Sequence, residues 1–299
     1  MAGQAPPTLF GPLFLSVGAM KAGTTWLYSV LERHPQLHFT PEKELHYFYH
    51  RYVDDRQLAD PVRLRLAKER YLEKFDPDRA NPERVRHNLH WVAAYLSRPV
   101  DDLWYRGLFT RPPGALYACD FSNLYAHLPQ EAWPRIRASS DRLRVIYTMR
   151  HPVRRLWSHV KFHLQITGQL ERLRDWTPQQ VDTFLRRDFI WSNAEYGAAL
   201  RRLRAGLPED SLMPLFYEDI RNDPRGVLRR IERFLGVDPI DYPEAQVNRQ
   251  VNASAAIPMP DFFSDLVAED VARITSEVEA CGLQVPASWR DTVAAGPPR

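Results

Sequence analysis

Directly after a short apolar run at residues 13–17, and directly before a segment of helical character at 24–32, the chain reads Gly18-Ala19-Met20-Lys21-Ala22-Gly23-Thr24-Thr25-Trp26. An apolar run, a glycine-bearing loop and a helix in that order constrain the fold more than any other stretch. Glycines five apart let the backbone curl with successive N–H groups pointing inward, and the helix start adds its partial positive charge. The segment is therefore expected to cradle an anion such as phosphate. A nucleotide-triphosphatase loop of the form G-x-x-x-x-G-K-[ST] shares this glycine spacing and the final Thr25, but Thr24 stands where its lysine belongs. The lysine sits at Lys21 instead, away from the place where it would serve the β/γ-phosphates beside Mg²⁺.

Similar strand and helix pairs follow. Residues 116–119 and 143–149 read as strands, 152–165 as the helix after the second, 212–217 as another buried strand, and 224–235 as a helix ended by Gly236. Strands alternating with helices predict a mostly parallel sheet covered on both faces. Between about 49 and 111 the text becomes charged, Pro-punctuated and helical, which is expected to form an acceptor-side insertion over the sheet edge within a single domain spanning 1–299. A second helical stretch, 177–204, is expected to form part of a cover over the site. With 299 residues and 44% apolar content, the chain can bury a substantial core.

Charge narrows the partners. Lysine and arginine nearly cancel the acids, leaving a formal +3, so the chain lacks the broad basic field that drives nucleic-acid binding. No window approaches the roughly 20 apolar residues of a membrane span, and the N-terminal stretch has no basic region followed by an apolar run. A cytoplasmic location is the expectation. Two distant cysteines, Cys119 and Cys281, are expected as free thiols, and the Asn252-Ala253-Ser254 triplet is assigned no role. The oligomeric state is open, a homodimer being one option.

The loop, read as K-x-G-T-T-W, resembles the 5′-phosphosulfate loop of the sulfotransferases that use 3′-phosphoadenosine 5′-phosphosulfate (PAPS), particularly the glycan-modifying and bacterial members. That resemblance implies an α/β, P-loop NTPase-like three-layer fold, with a central mostly parallel sheet flanked by helices. It also implies that Lys21 neutralises the bridging oxygen of the leaving phosphate, that Ala22, Gly23, Thr24 and Thr25 hold the 5′-phosphate, and that Trp26 stacks on adenine. A second motif is similar to the family's 3′-phosphate site: Arg150 ends the strand at 143–149, and Ser158 lies about two turns into the next helix. Arg154 and Arg155 are expected to add positive potential. Residues 104–105 and 217–219 are weakly similar to segments of the bacterial relatives. The late R-K-G segment of the cytosolic members has no counterpart; Arg249 is the substitute considered.

A hydroxyl holds its proton too tightly at neutral pH to attack sulfur well, so a base is needed. Three residues are ranked for it. Glu44 comes first, in Pro41-Glu42-Lys43-Glu44-Leu45-His46-Tyr47-Phe48, which resembles the family's K-E-x-H-[FY]-F segment and implies His46 as support for the acceptor. Tyr49 replaces the acid that glycan enzymes often carry there. His127 comes second, in a His127-Leu128-Pro129 segment similar to the T-H-L-P of cytosolic members, and Asp120 third, with capping or orienting as its other reading. His34, His38, His46 and His50 form two pairs four apart, but no H-E-x-x-H occurs and no cysteine is near, so no metal site is expected. The resemblance thus implies in-line sulfuryl transfer from PAPS, releasing adenosine 3′,5′-bisphosphate (PAP), to a small-molecule or carbohydrate acceptor without a metal. A P-loop kinase or NTPase using ATP–Mg²⁺ with Asp120 as its acid, and a non-catalytic nucleotide-binding module, are the competing readings.

Overall fold

The structure, a computed structural model, describes residues 8–73, 76, 78–110, 112–249, 251 and 257–290. The Asn252-Ala253-Ser254 triplet lies outside them. Strand β1 (Pro12–Ser16) leads through the glycine loop into α1 (Thr24–Leu31), and β2 (Leu37–Phe39) follows. Helices α2 (Tyr47–Tyr52), α3 (Asp60–Ala67), α4 (Pro82–Leu96) and α5 (Asp102–Gly107) fill most of the predicted insertion. Then come β3 (Tyr117–Phe121), α6 (Ala132–Ala138), β4 (Arg142–Met149) and α7 (Pro152–Ile166). Helices α8 (Pro178–Leu185), α9 (Asp188–Trp191) and α10 (Tyr196–Gly206) precede β5 (Leu212–Phe216). The remaining helices are α11 (Tyr217–Asn222), α12 (Pro224–Leu235), α13 (Glu244–Val247), α14 (Phe262–Leu266) and α15 (Ala268–Ala280).

The five strands among the described residues pair in parallel in the order β2-β3-β1-β4-β5. Alternation along each strand sorts the side chains into two cores. Leu13, Leu15, Val145 and Tyr147 face one layer, which includes residues of α6, α7, α10 and α15. Phe14, Cys119, Ile146 and Leu215 face the other, packed on α1 and α12. In α12, Val227, Leu228, Ile231 and Leu235 fall on one face and are buried, each large aliphatic contributing about 1.5–3 kcal/mol relative to exposure. Pro224 opens that helix, and Gly236, at φ 69°, closes it in a left-handed conformation that suits glycine.

Two boundaries differ from the expectation for a physical reason. The strand expected at 116–119 runs on to Phe121, because Asp120 is accommodated inside the sheet by three hydroxyl donors instead of ending it. Strand β2 gave no sequence signal: three residues on one edge are too few for a period to show. Because β1 is central, with β3 on one side and β4 on the other, the crevice at the C-terminal strand ends opens where the connections diverge.

Candidate active site

A cleft of about 900 Å³ opens at those strand ends and is lined by the glycine loop, the 43–46 turn, Arg150 with Ser158 and Phe162 of α7, the 217–224 segment, and residues 247–249 with Val251. The loop is seated on the sheet by Ala19 N–H donating to the Thr148 carbonyl at 2.7 Å and Thr148 N–H to the Gly18 carbonyl at 2.8 Å. Gly23 caps α1 at φ 92°, and a Cβ there would come within 2.8 Å of the Tyr217 ring. Glycine is thus required twice over, by conformation and by space. Among the described residues, no acceptor takes the N–H groups of Gly23, Thr24 or Thr25, the usual situation in a helix's first turn, and all three residues line the cleft. Ala22 departs from the expectation: it is buried, its N–H donates to the Ala19 carbonyl at 3.2 Å, and it does not line the cleft.

Lys21 has a left-handed backbone at φ 68° and lays its ammonium 4.3 Å from the centre of the Phe162 ring. Burial, then the positive charges of Arg150, Lys161 and Lys43, hold its pKa down at about 8. Arg150 leaves the end of β4, donates to the Lys21 carbonyl at 3.2 Å and stacks its guanidinium 4.6 Å from the Tyr217 ring centre. Its Nε is buried without an acceptor, and burial lowers its pKa. Among the described residues no carboxylate lies within ion-pair distance of Lys21 or Arg150. Ser158, on α7, is buried and lines the same cleft. Two cations 129 residues apart in sequence, without carboxylate partners among the described residues, are what a dianionic or bis-anionic ligand would complete.

Opposite them stands Glu44. One carboxylate oxygen accepts Asn123 N–H at 2.7 Å, the other is paired with the Lys43 ammonium, and the His46 Nε2 lies 3.7 Å away. His46 is kept neutral-leaning by burial, which lowers its pKa against the raising effect of Glu44, and its Nδ1 is buried without a partner. Trp26 lines the far end of the cleft and is fixed by its indole N–H donating to the Val247 carbonyl at 3.0 Å.

The other predicted residues go elsewhere. His127, at the end of a 3₁₀ turn (Asn123–His127), is not part of the cleft lining, and burial and Arg202 lower its pKa. Asp120 is sealed beneath the cleft by Tyr105, Ser122 and Tyr125, and burial raises its pKa to about 6. Arg155 does not face the cleft: fully buried, it donates to the Met20 carbonyl at 3.2 Å and to the Ile190 carbonyl, bracing the loop from behind. His34 has both ring nitrogens engaged, with the Asp238 carbonyl and the Gln36 N–H. None of residues 177–204 lines the cleft; α10 supports it indirectly, through Tyr196 donating to the Arg150 carbonyl at 2.8 Å. Sequence reasoning passed over Phe162, Arg70 and Arg221, which do line it, while Arg249 lies there as considered. Phe162 falls one turn after Ser158 on the same helix face, a signal the i, i+4 rule makes available.

The comparisons bear on the family and the fold. The sulfotransferase family model matches residues 12–241. Mouse carbohydrate sulfotransferase 15 is 24% identical over 266 residues, covering 77% of this chain and 44% of that protein, so the chain spans less than half the length of this relative. A sulfotransferase from Alicyclobacillus acidocaldarius superposes with a TM-score of 0.60 at 20% identity, covering 93% of this chain and 98% of that one. The sulfotransferase domain of the Synechococcus PCC 7002 olefin synthase superposes at 0.52 and 19% identity, over 96% and 99%. The sulfotransferase domain from the curacin biosynthetic pathway superposes at 0.53 and 17%, over 92% and 99%. Parallel sheet, flanking helices and loop make the fold P-loop NTPase-like, and the match along 12–241 makes this chain a member of the sulfotransferase family.

Proposed function

We propose that the protein transfers the sulfuryl group of PAPS to a hydroxyl, or less readily an amine, of a small-molecule or sugar acceptor, in line and without a metal. The observation that carries this reading is the convergence on one cleft of two cations with no carboxylate in ion-pair distance among the described residues, Lys21 and Arg150, with the open first turn of α1 and the Glu44 carboxylate. A donor with a 5′-phosphosulfate and a separate 3′-phosphate needs two anion sites and a base facing the sulfur. In the proposed step the acceptor oxygen forms its bond to sulfur as the bond from sulfur to the bridging oxygen breaks, and PAP leaves with that electron pair. Lys21 and the N–H groups of Gly23, Thr24 and Thr25 meet the charge growing on the leaving phosphate. Glu44 receives the acceptor's proton, with Asn123 N–H and Lys43 fixing the carboxylate's direction and His46 offering a ring nitrogen to the acceptor. Arg150 and Ser158 hold the 3′-phosphate, and Trp26 lies against the adenine.

The kinase reading calls for an acid facing the metal side of a nucleotide, and Asp120, its candidate, points its oxygens at three hydroxyls beneath the cleft. Titration calorimetry separates the readings. PAP should bind and raise the melting temperature with Mg²⁺ chelated, whereas ATP with Mg²⁺ should do neither. Folded protein that takes up ATP–Mg²⁺ and ignores PAP would reverse the assignment, and a single-turnover assay with labelled PAPS separates an enzyme from a binding module.

A further inference from the structure

We propose that Asp120, buried at the end of β3, is a positioning residue that sets the Glu44–His46 turn against the donor loop. This rests on the transfer reading above and adds a residue to it. Glu44 and His46 both have left-handed backbones, at φ 69° and 57°, although neither is glycine. Two such residues within three persist only where the surroundings over-determine them. Four bonds from the strand β3 exit do so. Glu44 N–H donates to the Phe121 carbonyl at 3.0 Å, His46 N–H to the Ser122 hydroxyl at 2.9 Å, and Phe48 N–H to the Tyr125 hydroxyl at 3.3 Å. Asn123 N–H donates in the other direction, to the Glu44 carboxylate.

Two of these acceptors are hydroxyls, and a hydroxyl accepts at a chosen place only if its own proton is committed elsewhere. Asp120 commits both. Ser122 donates to its Oδ1 at 2.7 Å and Tyr125 to its Oδ2 at 2.6 Å, so each hydroxyl turns a lone pair toward the 44–48 segment. Tyr105 adds a third donor at 3.0 Å and, among the described residues, makes no hydrogen bond to that segment, which its ring meets by stacking on Tyr47 at 4.4 Å, a contact Tyr105→Phe keeps. Asp120 is 2% exposed, and among the described residues it has no ion-pair partner. A cation beside it would give stability without direction; hydroxyl relays give direction. An amide in its place would put N–H donors against hydroxyls that already donate, reversing the sense of one relay.

The test uses Asp120→Asn, Ser122→Ala and Tyr105→Phe in the full chain. The first readout is hydrogen exchange at the His46 and Phe48 amides, and calorimetry gives PAP affinity alongside it. Asp120→Asn should speed exchange at both amides and Ser122→Ala at His46, by about tenfold or more relative to strand β1 amides, with PAP affinity held within about twofold. Tyr105→Phe, which removes a donor but no relay, should leave the two amides moving with the global stability. In the transfer assay, with the wild-type acceptor at saturation, kcat should fall about 10- to 100-fold for Asp120→Asn and Ser122→Ala, the cost of a misplaced catalytic group, and far less for Tyr105→Phe. Exchange that rises uniformly, or Tyr105→Phe costing as much kcat as Ser122→Ala, overturns the proposal. Should Asp120→Asn fail to fold, Ser122→Ala alone decides by the same criteria. Loss of PAP binding in the wild-type protein would instead overturn the donor reading, a result the exchange pattern does not depend on.

Discussion

The two walls of the cleft are built on opposite plans. The donor wall takes its parts from two contiguous stretches, 18–26 and 150–158, each running from a strand end into the helix that follows it. The features the proposed transfer would use there, first-turn N–H groups without an acceptor among the described residues and the cations beside them, are consequences of local conformation. The acceptor wall has no such unit. Glu44 and His46 sit in a short irregular turn before α2, held by residues 121–125 some 76 to 79 positions later, while Arg70 reaches the cleft from the insertion, where Glu42 engages it. A wall made of local geometry can be recognised piece by piece; a wall made of crossings exists only once the sheet has formed.

The largest expected effect probes the donor wall. Lys21→Ala should lower kcat by about 10²–10³-fold, the usual cost of one removed stabilising donor, in a protein that still melts cooperatively. Activity near wild type would remove Lys21 from the leaving-group role. On the wall opposite, Glu44→Gln should lower kcat about 10²-fold or more while PAP affinity stays close to wild type, because the proposed phosphate contacts are made by other residues. His127→Ala is the matched control, since His127 lies outside the cleft lining, and the reverse ranking of these two variants would transfer the base role to the histidine. The smallest effect is a pH dependence. Lys21 in the free protein has a pKa near 8, and a bound phosphate stabilises the ammonium form and raises it. PAP affinity should therefore be full below about pH 7 and fall by about tenfold between pH 7 and 9, with proton uptake measurable by calorimetry in buffers of different ionisation enthalpy. A flat affinity across that range, or one that rises with pH, contradicts contact between Lys21 and the phosphate.

Legibility follows the same division. Gly18, Gly23 and the Lys21 displacement were readable because a strand, a glycine loop and a helix start are properties of about a dozen consecutive residues, and Arg150 with Ser158 because a strand end and two helical turns fix their separation. Ala22 was misjudged because which N–H groups face outward depends on the curl of the loop, and here its own is spent on Ala19. Arg155 was expected to add positive potential and is a buried brace, since nothing in a helical sequence says that a loop carbonyl and α9 will meet it there. The cover expected from 177–204 has a related explanation: none of those residues lines the cleft, and α10 reaches it only through Tyr196 donating to the Arg150 carbonyl.

Glu44, His127 and Asp120 were ranked in that order by motif resemblance, but the sequence says nothing of where each side chain lies. Their separation came from the sheet, which sets β3 beside β1 and so places Asp120 beneath the cleft, Glu44 at its wall and His127 outside it. Strand alternation, glycine spacing and helix caps act over a few residues and are therefore written along the chain, whereas the direction of a carboxylate depends on hydroxyls that only folding brings to it. On its own, the sequence determined the loop, the strand-to-helix rhythm and two of the cations that line the cleft. Only the tertiary structure decided which carboxylate looks into the cleft, because that choice is made by contacts about 80 residues apart.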